Sequence, residues 1–309
     1  MDWISAISEA GARIAPHIRR TPVITAELPG LPPLAFKLEH LQHTGSFKPR
    51  GAFNTLLSQP VPAAGVVAAS GGNHGAALGH AARSLGHPAR IFVPELAGPA
   101  KIALIRATGA DLTVVPGVYD NALAAARAYE AETGAMQVHA FDAPATVAGQ
   151  GTLFAEWEDQ GLDADTVLIA VGGGGLIGGA AAWLGTRRRI VAVEPANAPT
   201  LNRALAEGPE TEVAVSGVAA NSLGTRRIGR IGHDLCRAAG VASVLVADDD
   251  IIAAQALLWR GLRQWVEPGG ATALAALTSG TYRPAPGERV AVLVCGANPA
   301  PDPLSETPH

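Results

Sequence analysis

The chain has 309 residues, with 23 Lys plus Arg against 27 Asp plus Glu, a formal charge of −4, 48% hydrophobic residues and 16% charged ones. So neutral a balance without a basic stripe excludes a nucleic-acid binder, and the apolar share excludes a disordered chain. Cys236 and Cys295 form no C-x-x-C pair, which argues against a zinc ribbon or a disulfide scaffold and for the reducing cytoplasm.

No basic start followed by an apolar run opens the chain, and no stretch of about 18 uninterrupted apolar residues occurs, so neither a signal peptide nor a membrane span is expected. The length suits one large or two medium domains. The 36 Gly and 23 Pro follow no Gly-X-Y period and point to tight turns and close backbone approaches. In chain order, residues 65–69 read as a β-branched strand and 75–85 as a small-residue helix, followed by strand 89–93, helix 100–108, strand 111–115 and helix 119–133. A second series runs through strand 166–171, a glycine turn, a helix to residue 184, strand 189–194 and a strand near 243–246. It closes with helices 249–264 and 270–279 and strand 289–294. This alternation is the pattern of parallel sheets covered by helices on both faces, so the fold class is α/β. The early segment 29–57 precedes the first unit, so a small domain over 59–141 is expected to be inserted into a larger one made of 1–58 and 142–309. The Pro-rich tail 298–309 is expected to fray.

Lysine is rare here: Lys37, Lys48 and Lys101 stand against twenty arginines. Lys48 lies in Thr44 Gly45 Ser46 Phe47 Lys48 Pro49 Arg50 Gly51, with a hydroxyl- and glycine-rich turn before it and helix-forming residues after it. An amine that does covalent chemistry must be neutral part of the time, and burial or neighbouring cations lower a lysine pKa; arginine cannot substitute. By itself the motif also fits a lysine in a surface turn. After the apolar run 167–171 come Gly172, Gly173, Gly174 and Gly175, then Leu176, where consecutive amides and a helix N-terminus could cup a phosphate. Gly173, Gly175 and Gly178 also satisfy G-x-G-x-x-G, with Glu194 placed 21 residues after Gly173, as in a dinucleotide site, so an NAD(P)-dependent oxidoreductase is the competing class. Ser70 Gly71 Gly72 Asn73 His74 opens the first small-residue helix and suits a carboxylate, or simple capping of that helix.

The ordered set of these segments resembles the fold-type II pyridoxal-phosphate enzymes, the tryptophan synthase β-like family, and within it the serine/threonine dehydratases and serine racemase. The likeness also takes in Arg20 Thr21 Pro22, Lys37 Leu38 Glu39, residues 148–152, Glu194 Pro195, Val266 Glu267 Pro268 and Cys295 Gly296 Ala297 Asn298. It implies two open, twisted parallel sheets with helices on both faces, pyridoxal 5'-phosphate as cofactor and a homodimer. Lys48 would carry the cofactor, Phe47 would lie beside it, Asn73 would bond the ring hydroxyl, and Gly172 to Gly175 with Leu176 would hold the phosphate. Cys295 would face the ring nitrogen, and Ser70, Gly71, Asn73 and His74 would receive the substrate carboxylate. The implied reaction acts on a small amino acid such as L-serine or L-threonine: Lys48 removes the α-proton, the β-hydroxyl leaves, and the product hydrolyses to a 2-oxo acid and ammonia. Phenylserine and hydroxyaspartate would use the same core residues, and the sequence does not choose among these side chains.

Departures from the family pattern sharpen the expectation. Gly71 stands where serine racemase carries its second proton-moving serine, so elimination is expected over racemisation. Thr200 stands where the family's cation site often has an acid, which leaves a metal near Glu194 and Ala198 open. The chain ends soon after Asn298, so a regulatory domain with isoleucine control is not expected. His40 and His43 lack the partners of a zinc site, and residues 187–189 read as a solvated basic loop. Arg226, Arg227 and Arg230 are candidates for facing the active site, because they follow Ser222 Leu223 Gly224.

Overall fold

The computed structural model describes residues 1–299; residues 300–309, most of the tail expected to fray, lie outside the described residues. The chain opens with α1 (Trp3–Ile14), capped by the Asp2 carboxylate, and then forms β1 (Val23–Ala26), β2 (Leu34–Leu38) and α2 (Lys48–Leu57). β3 (Val66–Ala69), α3 (Asn73–Ser84), β4 (Ala89–Pro94), α4 (Gly98–Arg106), β5 (Asp111–Val115), α5 (Tyr119–Thr133) and β6 (Met136–Gln137) follow. Next come α6 (Pro144–Asp159), β7 (Thr166–Ala170), α7 (Gly175–Leu184), β8 (Arg189–Pro195), α8 (Thr200–Glu207), α9 (Ala220–Leu223) and α10 (Arg230–Ala238). The described chain finishes with β9 (Ala242–Val246), α11 (Asp248–Leu262), α12 (Pro268–Thr278) and β10 (Val290–Val294).

These strands form two sheets. One has six strands in the order β1-β2-β10-β7-β8-β9 and is parallel except for the antiparallel edge strand β1; the other has four parallel strands in the order β5-β4-β3-β6. β7 and β10 are buried along their whole length, as apolar runs in the middle of a helix-covered parallel sheet must be. The last strand, β10, sits between β2 and β7, so the six-stranded sheet is assembled from both ends of the chain. The six-stranded sheet carries the largest core, from Leu34 and Phe36 to Val292 and Leu293. A second core under Leu56, Leu78, Ile91 and Ile105 joins α2 and α3 to the four-stranded sheet.

Each element read from the sequence from residue 65 onward is present to within a few residues at each end, but that reading names none of β6, α6, α8, α9 and α10. Segments it left undescribed are structured: 29–57 contains β2 and the whole of α2, and residues 144–159 form the sixteen-residue α6. Helix α6 was hidden by its own glycines. A Cβ on Gly149 would stand 2.6 Å from the Arg50 carbonyl oxygen and one on Gly151 would stand 2.5 Å from Ile7, so these residues let α6 close on α2 and α1. In parallel sheets the strands' carboxyl ends open on one side, where ligands bind. Here the Ser70 loop follows β3, the glycine run follows β7, Cys295 follows β10, and the turn leading to Lys48 comes after β2.

Candidate active site

Lys48 is the first residue of α2, and Pro49 beside it is well suited to the first turn, where a missing N–H costs nothing. The turn before it is held in an unusual backbone shape: Thr44 has φ 57° and Gly45 φ 72°, and a Cβ on Gly45 would stand 2.6 Å from Asn298 Oδ1. Asn298 Nδ2 donates to the Thr44 carbonyl at 2.7 Å, and Ser46 pairs with Gly296, so the turn is pinned to the end of β10. The Lys48 amine donates to the Ala140 carbonyl at 2.8 Å and sits 5.0 Å from the centre of the Phe47 ring. Burial pushes it down to about 8, while Cys295 and the Glu267 carboxylate pull the other way. The sequence reading allowed neighbouring cations as a cause; desolvation leads instead, and the charged neighbours include an acid.

The Ser70 loop faces this amine. Ser70 Oγ accepts from the amides of Gly72 at 3.3 Å and Gly75 at 2.9 Å, so it caps α3, as the simpler sequence reading allowed. The amides of Gly71, Asn73 and His74 donate to no other described residue and lie at the start of α3, an arrangement that attracts a carboxylate. His74 is buried and its Nε2 donates to the Val138 carbonyl at 2.9 Å; burial, and then the Lys48 charge, push it down to about 3, so it is a neutral imidazole. Asn73 Nδ2 donates to Glu267 at 2.5 Å, and Asn73 Oδ1 accepts from Asn298 at 2.9 Å.

Across the cleft, the amides of Gly172 to Leu176 likewise donate to no described residue, and Gly174 turns the chain into α7 with φ 93°. A Cβ on Gly173 would stand 2.3 Å from the Phe141 ring, so the cup exists only because this position has no side chain. Cys295 is buried, its Sγ lies 3.4 Å from the Gly269 carbonyl, and burial pushes its thiol up to about 12. Five consecutive free amides at a helix start, a lysine amine lowered toward neutrality and a thiol that stays protonated are a donor set that fits pyridoxal phosphate.

The rival nucleotide reading fails on Glu194. This residue is wholly buried, and its carboxylate accepts from the amides of Leu201 and Asn202, both at 2.7 Å, and from the hydroxyls of Thr200 at 3.1 Å and Ser243 at 3.3 Å, leaving nothing for a ribose. Arg226, Arg227 and Arg230 pair with Glu210 and Glu212 on the exposed surface instead of facing the site, and Arg188 is partly buried against the Leu162 and Ala164 carbonyls. His40 bonds Gln264 and His43 stacks on His80; among the described residues no group of three or more His, Cys, Asp or Glu could hold a metal ion. No described helix is long and apolar enough to cross a membrane. The sequence reading missed the 139–141 segment, whose Ala140 carbonyl and Phe141 ring close one side of the cleft, and gave no role to Lys101, which meets Glu267 and Asn298 behind Asn73.

Comparison with known proteins agrees with this geometry. Residues 14–296 match the model of the pyridoxal-phosphate dependent enzyme family. The chain is 37% identical to the phenylserine dehydratase of Ralstonia pickettii, over 96% of this chain and 93% of that protein. It is 36% identical to an L-threonine ammonia-lyase of Geobacter sulfurreducens, over 94% of this chain and 74% of that one. The structure of maize serine racemase superposes with a TM-score of 0.88 at 30% identity, covering 96% of this chain and 93% of that one. With residues 14–296 matching the family model and relatives this similar over nearly the whole chain, the protein belongs to the pyridoxal-phosphate dependent enzyme family.

Proposed function

We propose that the protein eliminates water from a β-hydroxy amino acid and releases a 2-oxo acid and ammonia, acting as a dehydratase in preference to a racemase. The observation that carries this reading is the asymmetry of the cleft. Lys48 offers one proton carrier, whereas Gly71, at the position where the resemblance puts the racemase's second proton-moving serine, has no side chain, and a Cβ there would meet Ala97 Cβ at 2.8 Å. A racemase needs a second carrier on the opposite face. The relatives named for phenylserine and threonine elimination support the same choice.

Each residue has a part. The Lys48 amine would carry the cofactor and, once freed by the incoming amino acid, take the α-proton; with its pKa near 8 it can both accept and release a proton near neutral pH. Bound pyridoxal phosphate supplies the electron withdrawal that loosens the α-proton. The amides of Gly71, Asn73 and His74, with the Ser70 hydroxyl, would hold the substrate carboxylate, and those of Gly172 to Leu176 the cofactor phosphate. Asn73 would donate to the ring hydroxyl, and Phe47 would lie against the ring. Cys295, a weak donor that stays protonated, would leave the ring nitrogen uncharged, which favours loss of a β-group over full carbanion chemistry.

We further propose that residues 59–141, which contain the four-stranded sheet, form the smaller domain, with 1–58 and 142–309 as the larger one. The observation behind this is that β3 to β6 all fall between residues 66 and 137. Serine and threonine are the default substrates; phenylserine comes next, given the 37% identity to a phenylserine dehydratase. The test incubates the purified holoenzyme with L-serine, L-threonine, phenylserine and hydroxyaspartate, measuring ammonia and 2-oxo acid alongside chiral analysis of the remaining amino acid. Stoichiometric ammonia and 2-oxo acid without the D-isomer fits the proposal. D-isomer forming faster than ammonia contradicts it.

A further inference from the structure

None of the chain's three lysines serves as a plain surface cation: Lys37 is 0% and Lys101 2% exposed, and Lys48 lines the cleft. Lys37 belongs to a buried ion cluster, its Nζ donating to Glu156 and Gln160. Lys101 sits on α4, in the four-stranded half, and reaches across to the other half. Its Nζ donates to Glu267 Oε2 at 3.2 Å and to the Asn298 carbonyl at 2.5 Å. These two acceptors are the residues that grip the Asn73 amide. Glu267 Oε1 accepts from Asn73 Nδ2, while Asn298 Nδ2 donates to Asn73 Oδ1.

A side-chain amide can turn end over end unless an acceptor meets its nitrogen and a donor meets its oxygen. Glu267 and Asn298 supply this pair only while Glu267 is a carboxylate. Burial pushes the Glu267 carboxyl up and Lys101 leads the groups that pull it back, so loss of Lys101 favours the carboxylic acid, which can donate as well as accept and would satisfy either orientation of Asn73. A lysine suits the position because a compact ammonium can serve two acceptors from one atom, whereas the flat guanidinium of arginine spreads its donors over a wider fork. With its orientation fixed, Asn73 Nδ2 keeps one hydrogen unspent, and Nδ2 lies 3.5 Å from where a Cβ on Gly296 would stand, next to Cys295.

We infer that Lys101 is a positioning residue: acting through Glu267 and Asn298, it locks the Asn73 amide so that its free N–H is presented to the ring hydroxyl of the bound cofactor. The inference rests on the placement of Asn73 against that hydroxyl proposed above, and it is independent of which amino acid is the substrate. It explains why a cation on the small sheet and an acid at the start of α12 are buried together at the cleft.

The test introduces Lys101→Met into the wild type and into an Asn73→Ala background, with thermal melting of each apo-protein to establish folding. Three readings are taken: the affinity of apo-protein for pyridoxal phosphate, the visible band of the bound cofactor, and kcat separately from KM. The expected result is a weakening of cofactor affinity by about tenfold, the worth of one oriented hydrogen bond, with a displaced band and a fall in kcat that exceeds any change in KM. In the Asn73→Ala background the same substitution should weaken affinity by less than about twofold, because the residue it acts through is gone. An unchanged band and affinity in the single variant, or losses that multiply in full, would overturn the inference. If Lys101→Met alone fails to fold, Lys101→Met combined with Glu267→Leu removes both buried charges, and the same expectations and the same contrary outcomes apply to it. Affinity and band need no turnover, so a protein that binds cofactor normally yet releases no ammonia counts against the proposed reaction and leaves this test standing.

Discussion

Lys48 gathers opposing influences at one atom: loss of water pushes its amine down, and nearby Cys295 and Glu267 pull it up. The outcome, an amine titrating near 8, gives a prediction with a definite sign. Only the neutral amine attacks an aldehyde, so the rate at which apo-protein takes up pyridoxal phosphate should rise with pH through about 8 and level off above it, in stopped-flow absorbance; a rate that is flat from pH 6.5 to 9 would contradict the assigned environment. Lysine scarcity made Lys48 legible in the sequence. The same scarcity pointed at Lys101, which went unread because its partners Glu267 and Asn298 lie 166 and 197 residues away, and only the meeting of two sheets brings them together. Asn73 and Cys295 could be named from the family pattern, but the neutral state of the thiol and the two-sided grip on Asn73 depend on burial and on long-range partners that no local pattern carries.

The elements follow from short-range rules where those rules are unopposed. β-Branched runs gave β3, β7 and β10 with nearly correct ends because each is buried along its whole length and must be apolar throughout, while β4 and the partly exposed edge strand β5 were legible from their β-branched residues alone. The rules misled where one pattern serves two purposes. Gly173, Gly175 and Gly178 with Glu194 imitate a dinucleotide fingerprint, yet Glu194 serves as a cap, its carboxylate placed over the first amides of α8. Burial pushes it up to about 7 against four hydrogen bonds that favour the charged form. Glu194→Gln should therefore turn amide hydrogens toward donors already present and lower stability by about 1–3 kcal/mol in urea unfolding. Unchanged stability would mean that the α8 cap is not an energetic part of the fold.

At the scale of the whole molecule, the six-stranded sheet draws β1 and β2 from the start of the chain and β10 from its end, and a buried ion cluster marks where they are joined to the helices. Arg50 on α2 bonds Glu39, just after β2, at 2.5 and 3.1 Å and Glu156 on α6 at 2.9 Å, while Thr21 donates to Glu39 at 2.6 Å. Removing one member strands the others' charge away from water, so Glu39→Gln should cost about 3–5 kcal/mol, read as a fall in unfolding midpoint. A loss below about 1 kcal/mol would show that the cluster is not energetically coupled. This closure was not legible beforehand: residues 29–57 lack the regular alternation that betrays the later units, and their pairing with β10 is set by contacts more than 250 residues apart. The homodimer implied by the resemblance belongs at this scale as well, and sedimentation equilibrium should give twice the 31.4 kDa chain mass.

On the function proposed above, Lys48 carries the pyridoxal phosphate. The most direct measurement is the visible spectrum of the purified protein before and after borohydride, with peptide mapping of the reduced product and Lys48→Ala as the parallel sample. A band that disappears on reduction, pyridoxyl mass on the peptide containing Lys48, and no band in Lys48→Ala are expected. A colourless protein that stays colourless with added pyridoxal phosphate, or label fixed on Lys37 or Lys101 instead, would contradict that assignment.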